Sequence, residues 1–477
     1  MTEPFRGPLA DGPAEHQLLV DTPPLAQFGA TEVRRMISAT WVLVVAVSVA
    51  TVSWLPRRVL GRRVAFTAAV SDALVGGFIH LGPTYVKLGQ LIASSPGLFP
   101  TWLATAARRC LDEVPPFPVD QLRRTIEEDL GRPIDEVFAS FDDTPLSAAS
   151  IGQVHACTTD DGREAVVKVQ RPDIRDAMTT DLRVMYGVAR AVQKTPWGRS
   201  ANATGMIEDL HALTFQELNP VVEAFNQMRF RANIEAFGDN EGITAPEVYW
   251  SHCGLRTICM ERVYGIPMDH FDEIASRGID GEAILRRGAK VWTESVLCHG
   301  PFHGDMHAGN IWVLDDGRGC YLDFGIMGEL TEEWQGVVRD LYFSCAFDRD
   351  FTRIARAYRR VGVFPPDMGT DEEIGARIGL VLGTVLDGGF GDMALGDMIT
   401  SSVELMNDYG GTPPQELMLV GKQLLYIERY TKVLAPDYAV IQDPWLVKNV
   451  FPDAAGSVSE SDLRDTEHSD AAAAEPA

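Results

Sequence analysis

The residue types able to do chemistry crowd into one stretch, His303-Gly304-Asp305-Met306-His307-Ala308-Gly309-Asn310, and Asp323-Phe324-Gly325 begins thirteen residues after Asn310. Phosphoryl transfer asks little covalent chemistry of a protein. It asks for a carboxylate at the acceptor and for oxygen ligands to a Mg2+ ion that bridges the phosphates. The five-residue gap lets Asp305, with His303 just before it, reach the acceptor while Asn310 turns back to the metal. Asp323 supplies a second metal oxygen. Asp-Phe-Gly alone is a weak signal; the spaced set His303, Asp305, Asn310 and Asp323, with a hairpin inside it, is a strong one. The competing reading is that these are ordinary turn-forming residues, and the spacing favours the chemistry.

Lys168 is the second signal. It lies in the β-branched run Glu164-Ala165-Val166-Val167-Lys168-Val169-Gln170. An interior sheet face makes an unpaired ammonium costly. Kinases satisfy such a lysine with ATP phosphates and a helix glutamate, and Glu223 is the natural partner. Since Val167 and Val169 flank Lys168, simple alternation also allows a solvated lysine; the downstream loop favours the ATP role. The turn before this strand, Leu146 to Ala156, lacks the usual G-x-G-x-x-G pattern. Only Gly152 remains, and Ala148, Ala149 and Ser150 occupy the tip, where each Cβ restricts the backbone and adds bulk over a phosphate. An altered ATP pose is expected, and ordinary protein-kinase transfer is disfavoured.

Lys87 and Gln90 lie three apart, on one helical face in a nearly uncharged stretch. Buried, Lys87 needs a carboxylate; composition alone favours a lysine snorkelling from an amphipathic helix. Glu217 and Glu223, six apart, point about 120° from each other on a continuous helix and so serve different partners. Pro220 lies between them, and Asn219 before it is a good N-cap, so a helix is expected to start at Pro220.

Around these residues the texture changes along the chain. Residues 64–130 read as helical, 134–170 as a hairpin-rich sheet turned at Asp160-Asp161-Gly162, and 174–236 again as helix. Residues 243–265 hold two short strands, around Pro246–Trp250 and Arg256–Val263. A helix over 282–300 leads to the loop, and Ile311–Phe324 forms a hairpin turned at Asp316-Gly317. Residues 331–450 are helical. Helices, a small sheet, one helix, two strands and a helical lobe make the layout of a kinase-like α+β bilobal fold with an extra helical segment in front.

The 477 residues carry 42 Lys and Arg against 67 Asp and Glu, a net charge of −25. That balance argues against nucleic acid as a partner, since duplex binding needs a basic face. Seven cysteines without a C-x-x-C pair argue against a disulfide framework or structural zinc and for a reducing compartment. No charge occurs between Arg35 and Arg57. About 20 apolar residues span a bilayer, and Ile37–Leu55 carries Trp41 and Trp54 near its ends. Arg57, Arg58, Arg62 and Arg63 outweigh Arg34 and Arg35, which places the following domain in the cytoplasm. The alternative is a buried or partner-facing helix.

These residues together resemble the UbiB/AarF (ADCK) family of atypical kinase-like proteins, from about Gly82 to Pro436. The K-x-G-Q motif stands as Lys87-Leu88-Gly89-Gln90. The alanine-rich nucleotide loop runs from Ala148 through Ala149, Ser150, Ile151, Gly152 and Gln153 to Val154, and the strand lysine motif from Val167 to Pro172. E-x-D becomes Glu217-Leu218-Asn219, E-A-x-x is Glu223-Ala224-Phe225-Asn226, and the H-x-D-x-H-P-G-N loop is His303 to Asn310. The resemblance implies a protein-kinase-like fold with a K-x-G-Q extension over the active site, adenine nucleotide and Mg2+ as cofactors, ATPase rather than protein-kinase behaviour, and membrane-associated work in isoprenoid quinone synthesis. It implies nucleotide contacts at Ala148, Ala149, Ser150, Gly152 and Val154 beside Lys168 and Glu223. It also implies a regulatory Lys87, turned inward and paired with Glu217, which replaces the snorkelling reading. Asn219 departs from the family's Asp, which weakens any second carboxylate contact there. Met306 and Ala308 stand where Pro is common, which implies a looser loop with its ligands kept.

The expected organisation is a disordered tail over 1–33, a hydrophobic, membrane-embedded helix and basic flank over 34–63, the K-x-G-Q extension over 64–133, an N-lobe with inserted helices over 134–268, a mostly helical C-lobe over 269–451 and an acidic disordered tail over 452–477. The expected function is a Mg-ATP-dependent ATPase or atypical kinase at the membrane, beside prenyl-lipid or quinone-pathway enzymes. Two rivals remain: a small-molecule phosphotransferase of aminoglycoside- or choline-kinase type, and a nucleotide-sensing pseudokinase scaffold.

Overall fold

The computed structural model describes residues 5–59, 65–94, 99–112, 116–365, 367, 369–387, 415–436, 438, 440, 443–456 and 458. Arg62, Arg63 and the acidic tail from residue 459 lie outside the described residues. Two compact units emerge: Met1–Phe225 with Val248–Arg262, and Asn226–Glu247 with Val263–Ala477. The first unit thus contains both the extension and the sheet, and the helix Pro220–Phe237 is divided at Phe225.

In the first unit four antiparallel strands run in spatial order Phe138–Ala148, Gly152–Thr159, Glu164–Gln170, Thr257–Glu261. Gly162 takes the left-handed conformation (φ 88°) at the second turn, as Asp-Gly sequences favour. Strand alternation sends Ala165, Val167 and Val169 into a core with Leu122 and Ile126 of the helix Val119–Leu130. Lys168 therefore lies on the other face of the sheet. The expected strand at Pro246–Trp250 reduces to a single bridge, Val248 to Met260, followed by a short 3-10 turn.

The segment expected to be a disordered tail is instead packed on this unit as far as residue 29. Phe5 and Leu9 enter the core. The Phe5 amide donates to Asp160 Oδ2 (2.7 Å), the Gly7 amide donates to the Ser251 carbonyl (2.8 Å), and Arg183 reaches the Pro24 carbonyl (3.1 Å). Its prolines keep it from forming a long helix, and apart from a 3-10 turn at Glu15–Gln17 it runs as a strap whose backbone hydrogen-bonds along the surface.

A second core joins the helices Phe66–Leu81 and Pro83–Ser94 to the inserted helices Ile174–Val192 and Ala203–Glu217. The inserted helices thus belong with the extension rather than with the sheet. The helix Ala30–Val59 docks here by its first turns, through Arg35 to Asp181 (2.6 Å) and Arg183 to Glu32 (3.2 Å). Gly77 lets Leu43 and Ala46 approach the Phe66–Leu81 helix. The opposite stripe is open to solvent: Ile37, Trp41 (69% exposed), Val44, Val49 and Val52 (74%). Over Ala30–Trp54 this helix is long and apolar enough to cross a membrane.

In the second unit a four-stranded sheet runs in the order Ile243–Thr244, Gly319–Tyr321, Ile311–Leu314, Gly265–Pro267. Its central pair is the expected hairpin, with Gly317 at φ 84°. Beneath it the helix Gly281–Glu294 buries charge. Arg286 and Asp443, each 1% exposed, pair at 2.9 Å, and Asp443 also accepts from the Tyr438 hydroxyl and the Trp445 amide. Fully buried Lys290 and Glu294 pair at 2.6 Å, completed by Asn240 and Asn449. Burial holds the Lys290 pKa below its ordinary value.

Two stability outcomes follow. A Cβ on Gly89 would overlap the Cys110 sulfur, so Gly89→Ala should cost about 1–3 kcal/mol and lower Tm, with part of the loss recovered in a Cys110→Ala background. Asp443→Asn strands the buried Arg286 and should cost about 3–5 kcal/mol in chemical denaturation; a loss below about 1 kcal/mol would show that the pair does not hold the C-terminal segment.

Candidate active site

The first unit holds one group of the expected site residues. On the strand Glu164–Gln170, Lys168 sits opposite Val154 on one side and Ile258 on the other. Its Nζ donates to Glu223 Oε1 at 2.6 Å. Glu223 is placed by the start of its helix at Pro220, where Asn219 accepts from the Val222 amide (3.3 Å) as the N-cap. The Asn219 amide nitrogen reaches back to the Gln17 carbonyl (3.0 Å), so the residue that departs from the family's Asp joins the N-terminal strap to the helix. Gln170 donates to the Leu218 carbonyl (3.0 Å), tying the strand to this break.

Lys87 is buried and donates to Glu217 Oε2 at 2.5 Å. The snorkelling reading from composition is corrected: on a buried face the ammonium needs a counter-charge, and the end of the Ala203–Glu217 helix provides it. Gln90, one turn on, donates to the Cys110 carbonyl (3.0 Å). Gly89 between them permits the close approach to Cys110.

The alanine-rich turn is compact. The Ala149 amide donates to the Gly152 carbonyl (2.8 Å) and the Arg171 amide donates to the Ile151 carbonyl (2.8 Å). The Arg171 guanidinium reaches the Ala149 carbonyl at 3.1 Å. Ser150 is buried, and a Cβ at Gly152 would overlap the Val169 carbonyl, so glycine is required there. Ala148 ends one strand and Val154 lies within the next, paired with Ser147.

The second unit holds the other group. Asp305 is half-buried on the loop after Phe302–His303. Asn310 is buried; its amide nitrogen donates to the Asp305 carbonyl (3.0 Å), so its side-chain oxygen is the atom able to accept or to ligate. Asp323 is exposed with φ 55°, and the buried Phe324 beside it packs against Phe230 and His303. The Leu322 amide donates to the Asn310 carbonyl (2.8 Å), so one short backbone tie holds Asn310 near the turn that carries Asp323. An amide and a carboxylate oxygen suit a hard cation that keeps waters and phosphates as its other ligands. Among the described residues no group of three or more His, Cys, Asp and Glu could hold a metal by itself.

His303, expected with the catalytic group, has another task. It is fully buried; its Nε2 faces the carbonyls of Leu322 (3.0 Å) and Asp323 (2.9 Å), and its Nδ1 accepts from the Asp305 amide (3.2 Å). Those partners require a proton on Nε2 and a lone pair on Nδ1. Burial lowers its pKa. His303 is a neutral brace that joins the Asp305 loop to the Asp323 turn.

The loop is not the looser one implied by Met306 and Ala308. Met306 is buried, and the helix Gln415–Leu434 grips it. Gln423, fully buried, donates to the Gly304 carbonyl (2.5 Å) and accepts from the Met306 amide (2.8 Å); the Tyr430 hydroxyl donates to the Met306 carbonyl (2.9 Å). Lys422 meets Asp305 Oδ1 at 2.9 Å. Sequence reasoning missed Lys422 and Gln423, which lie more than a hundred residues from the loop in a helix without a motif.

Residues 109–358 match the ABC1 atypical kinase-like domain. An uncharacterized protein of Mycobacterium tuberculosis H37Rv is 36% identical over 390 residues, covering 81% of this chain and 79% of that one. An uncharacterized, chloroplastic aarF domain-containing protein kinase of Arabidopsis thaliana is 34% identical, covering 77% and 72%. A probable protein kinase UbiB of Aeromonas salmonicida is 32% identical, covering 79% and 70%. Among solved structures, the M. tuberculosis protein Rv3197, in complex with erythromycin, shares the fold with a TM-score of 0.51 at 23% identity, covering 72% of this chain and 85% of that one. The fold is thus kinase-like α+β, and the chain belongs to the ABC1/AarF family of atypical kinase-like proteins, which includes UbiB.

Proposed function

We propose that the chain is a Mg2+-dependent ATPase or atypical kinase that works at a membrane in prenyl-lipid metabolism, with isoprenoid quinone synthesis as the leading setting. The observation that carries the reading is the 2.6 Å Lys168–Glu223 pair, the arrangement by which kinases present a strand lysine to nucleotide phosphates. The relatives named UbiB support the quinone setting.

In this reading the Lys168 ammonium meets the α- and β-phosphates and Glu223 keeps it aimed. Ala148, Ala149, Ser150, Gly152 and Val154 line the nucleotide. Asp305 accepts the proton of the acceptor, water or a hydroxyl. Asn310 and Asp323 fit a Mg2+ ion, which when bound neutralises phosphate charge. The Lys87–Glu217 pair, with Gln90 behind it, is regulatory: it fixes the extension against the helical segment that also carries Glu223.

The exposed stripe Ile37–Trp41–Val44–Val49–Val52 supports membrane association, because a contiguous apolar face on a water-exposed helix marks a membrane or partner surface. A cytoplasmic kinase-like domain follows from the basic flank at Arg57 and Arg58.

Asp305→Asn is expected to lower kcat for ATP hydrolysis by about 100-fold or more, and Asp323→Asn to raise the Mg2+ requirement; unchanged turnover in Asp305→Asn removes its assigned role. Wild-type protein that binds Mg-ATP and never turns it over, even with lipid vesicles and prenyl-phenols, favours the scaffold. Trp41→Glu with Val49→Glu is expected to release the full chain from anionic vesicles in flotation; undiminished flotation places the membrane contact elsewhere.

A further inference from the structure

Lys422 lies on the helix Gln415–Leu434, beyond every motif in the sequence. Its Nζ is 2.9 Å from Asp305 Oδ1 and about one ring's reach from Tyr426, 6.0 Å from the centroid. The other carboxylate oxygen, Oδ2, is 3.6 Å from His307 Nε2. His307 Nδ1 accepts from the Gly309 amide (3.0 Å), so Nε2 carries the proton toward Asp305.

The neighbour of Lys422 shows that this is not a chance surface pair. Gln423 is fully buried and holds the backbone on both sides of Asp305, at the Gly304 carbonyl and the Met306 amide. Leu419, one turn earlier, would be struck by a Cβ at Gly304. One helical turn therefore fixes the backbone of Asp305 through Gln423 and delivers a cation to its carboxylate through Lys422.

The two side chains differ in how firmly they are held. Gln423 is buried; the Lys422 side chain is 47% exposed and that of Asp305 22%. A half-exposed pair contributes little and exchanges readily. A lysine is a compact charge on a flexible stem. Phosphoryl transfer spreads negative charge over three equatorial oxygens, and a cation reaching them accelerates it.

We propose that Lys422 is a catalytic residue of this site, its ammonium passing from the Asp305 carboxylate to an oxygen of the transferred phosphoryl group. The inference rests on the phosphoryl-transfer reading above. In the step, the bond between the γ-phosphorus and the β,γ-bridging oxygen breaks, and its electron pair stays on that oxygen in ADP. A bond forms between the acceptor oxygen and the γ-phosphorus. The acceptor proton goes to the Asp305 oxygen that Lys422 has left, and the Lys422 ammonium keeps its own protons throughout.

The test is steady-state ATP hydrolysis by the full chain in detergent, with Lys422→Met, Lys422→Arg and Asp305→Asn compared with wild type, and Tm measured for each. Lys422→Met is expected to lower kcat by about 10- to 100-fold, with KM for Mg-ATP within about twofold and Tm unchanged, while Lys422→Arg keeps the charge and retains a large part of the rate. Full kcat in Lys422→Met beside an inactive Asp305→Asn overturns the inference and leaves the phosphoryl-transfer reading standing. A rise in KM alone, or a loss matched by a fall in Tm and shared by Lys422→Arg, also overturns it. Full turnover in Asp305→Asn overturns both.

Discussion

Two ammonium groups in the first unit need carboxylates, and a single break in the chain supplies both. Lys87 is buried and Lys168 is part-buried on its sheet face, so either one unpaired would carry a desolvation cost. Glu217 ends one helix and Glu223 lies in the first turn of the next. On an unbroken helix these residues would diverge by about 120° with no freedom to adjust. Leu218-Asn219-Pro220 releases that constraint: Asn219 caps the second helix, Pro220 occupies its first position, and each glutamate meets its own lysine at 2.5 and 2.6 Å. The K-x-G-Q helix and the strand lysine are thereby fixed to neighbouring points of one segment.

The second unit uses a different device. Its loop is held by backbone partners on three sides. His303 ties it to the Asp323 turn, Asn310 returns to the Asp305 carbonyl, and Gln423 brackets Asp305. Below, the buried Arg286–Asp443 and Lys290–Glu294 pairs pin the C-terminal residues to the Gly281–Glu294 helix. Such pairs add little net stability over apolar residues of the same shape, yet breaking one is severe. Around them, the apolar cluster that includes Phe230, Trp292 and Phe302 also takes in Trp445, Leu446 and Val447, next to Asp443.

Much of this was legible because local spacing carries it. Asp305, Asn310 and Asp323 fall within nineteen residues, and the hairpin between them has its Asp-Gly turn. Asn219-Pro220 announces a helix start from two residues alone. The partner of Lys87 was not legible from composition, since an apolar helix with one lysine reads the same whether its face is open or covered; only the family motif pointed inward. Sequence alone puts His303 with the reacting groups, because it does not distinguish a histidine that touches substrate from one that braces a loop. Prolines and glycines over 1–33 predict a disordered tail, although two apolar anchors, Phe5 and Leu9, suffice to seat residues 5–29. Lys422 had no sequence signal, because its relation to Asp305 is made wholly by tertiary packing.

The central claim of the proposed function is that the chain binds a nucleoside triphosphate together with Mg2+. Equilibrium titration of the full chain with ATP, first with Mg2+ and then with excess EDTA, tests it most directly. Saturable binding that weakens by about tenfold or more when the metal is removed is the predicted result. Absence of ATP binding, or binding of equal strength with and without Mg2+, would contradict it.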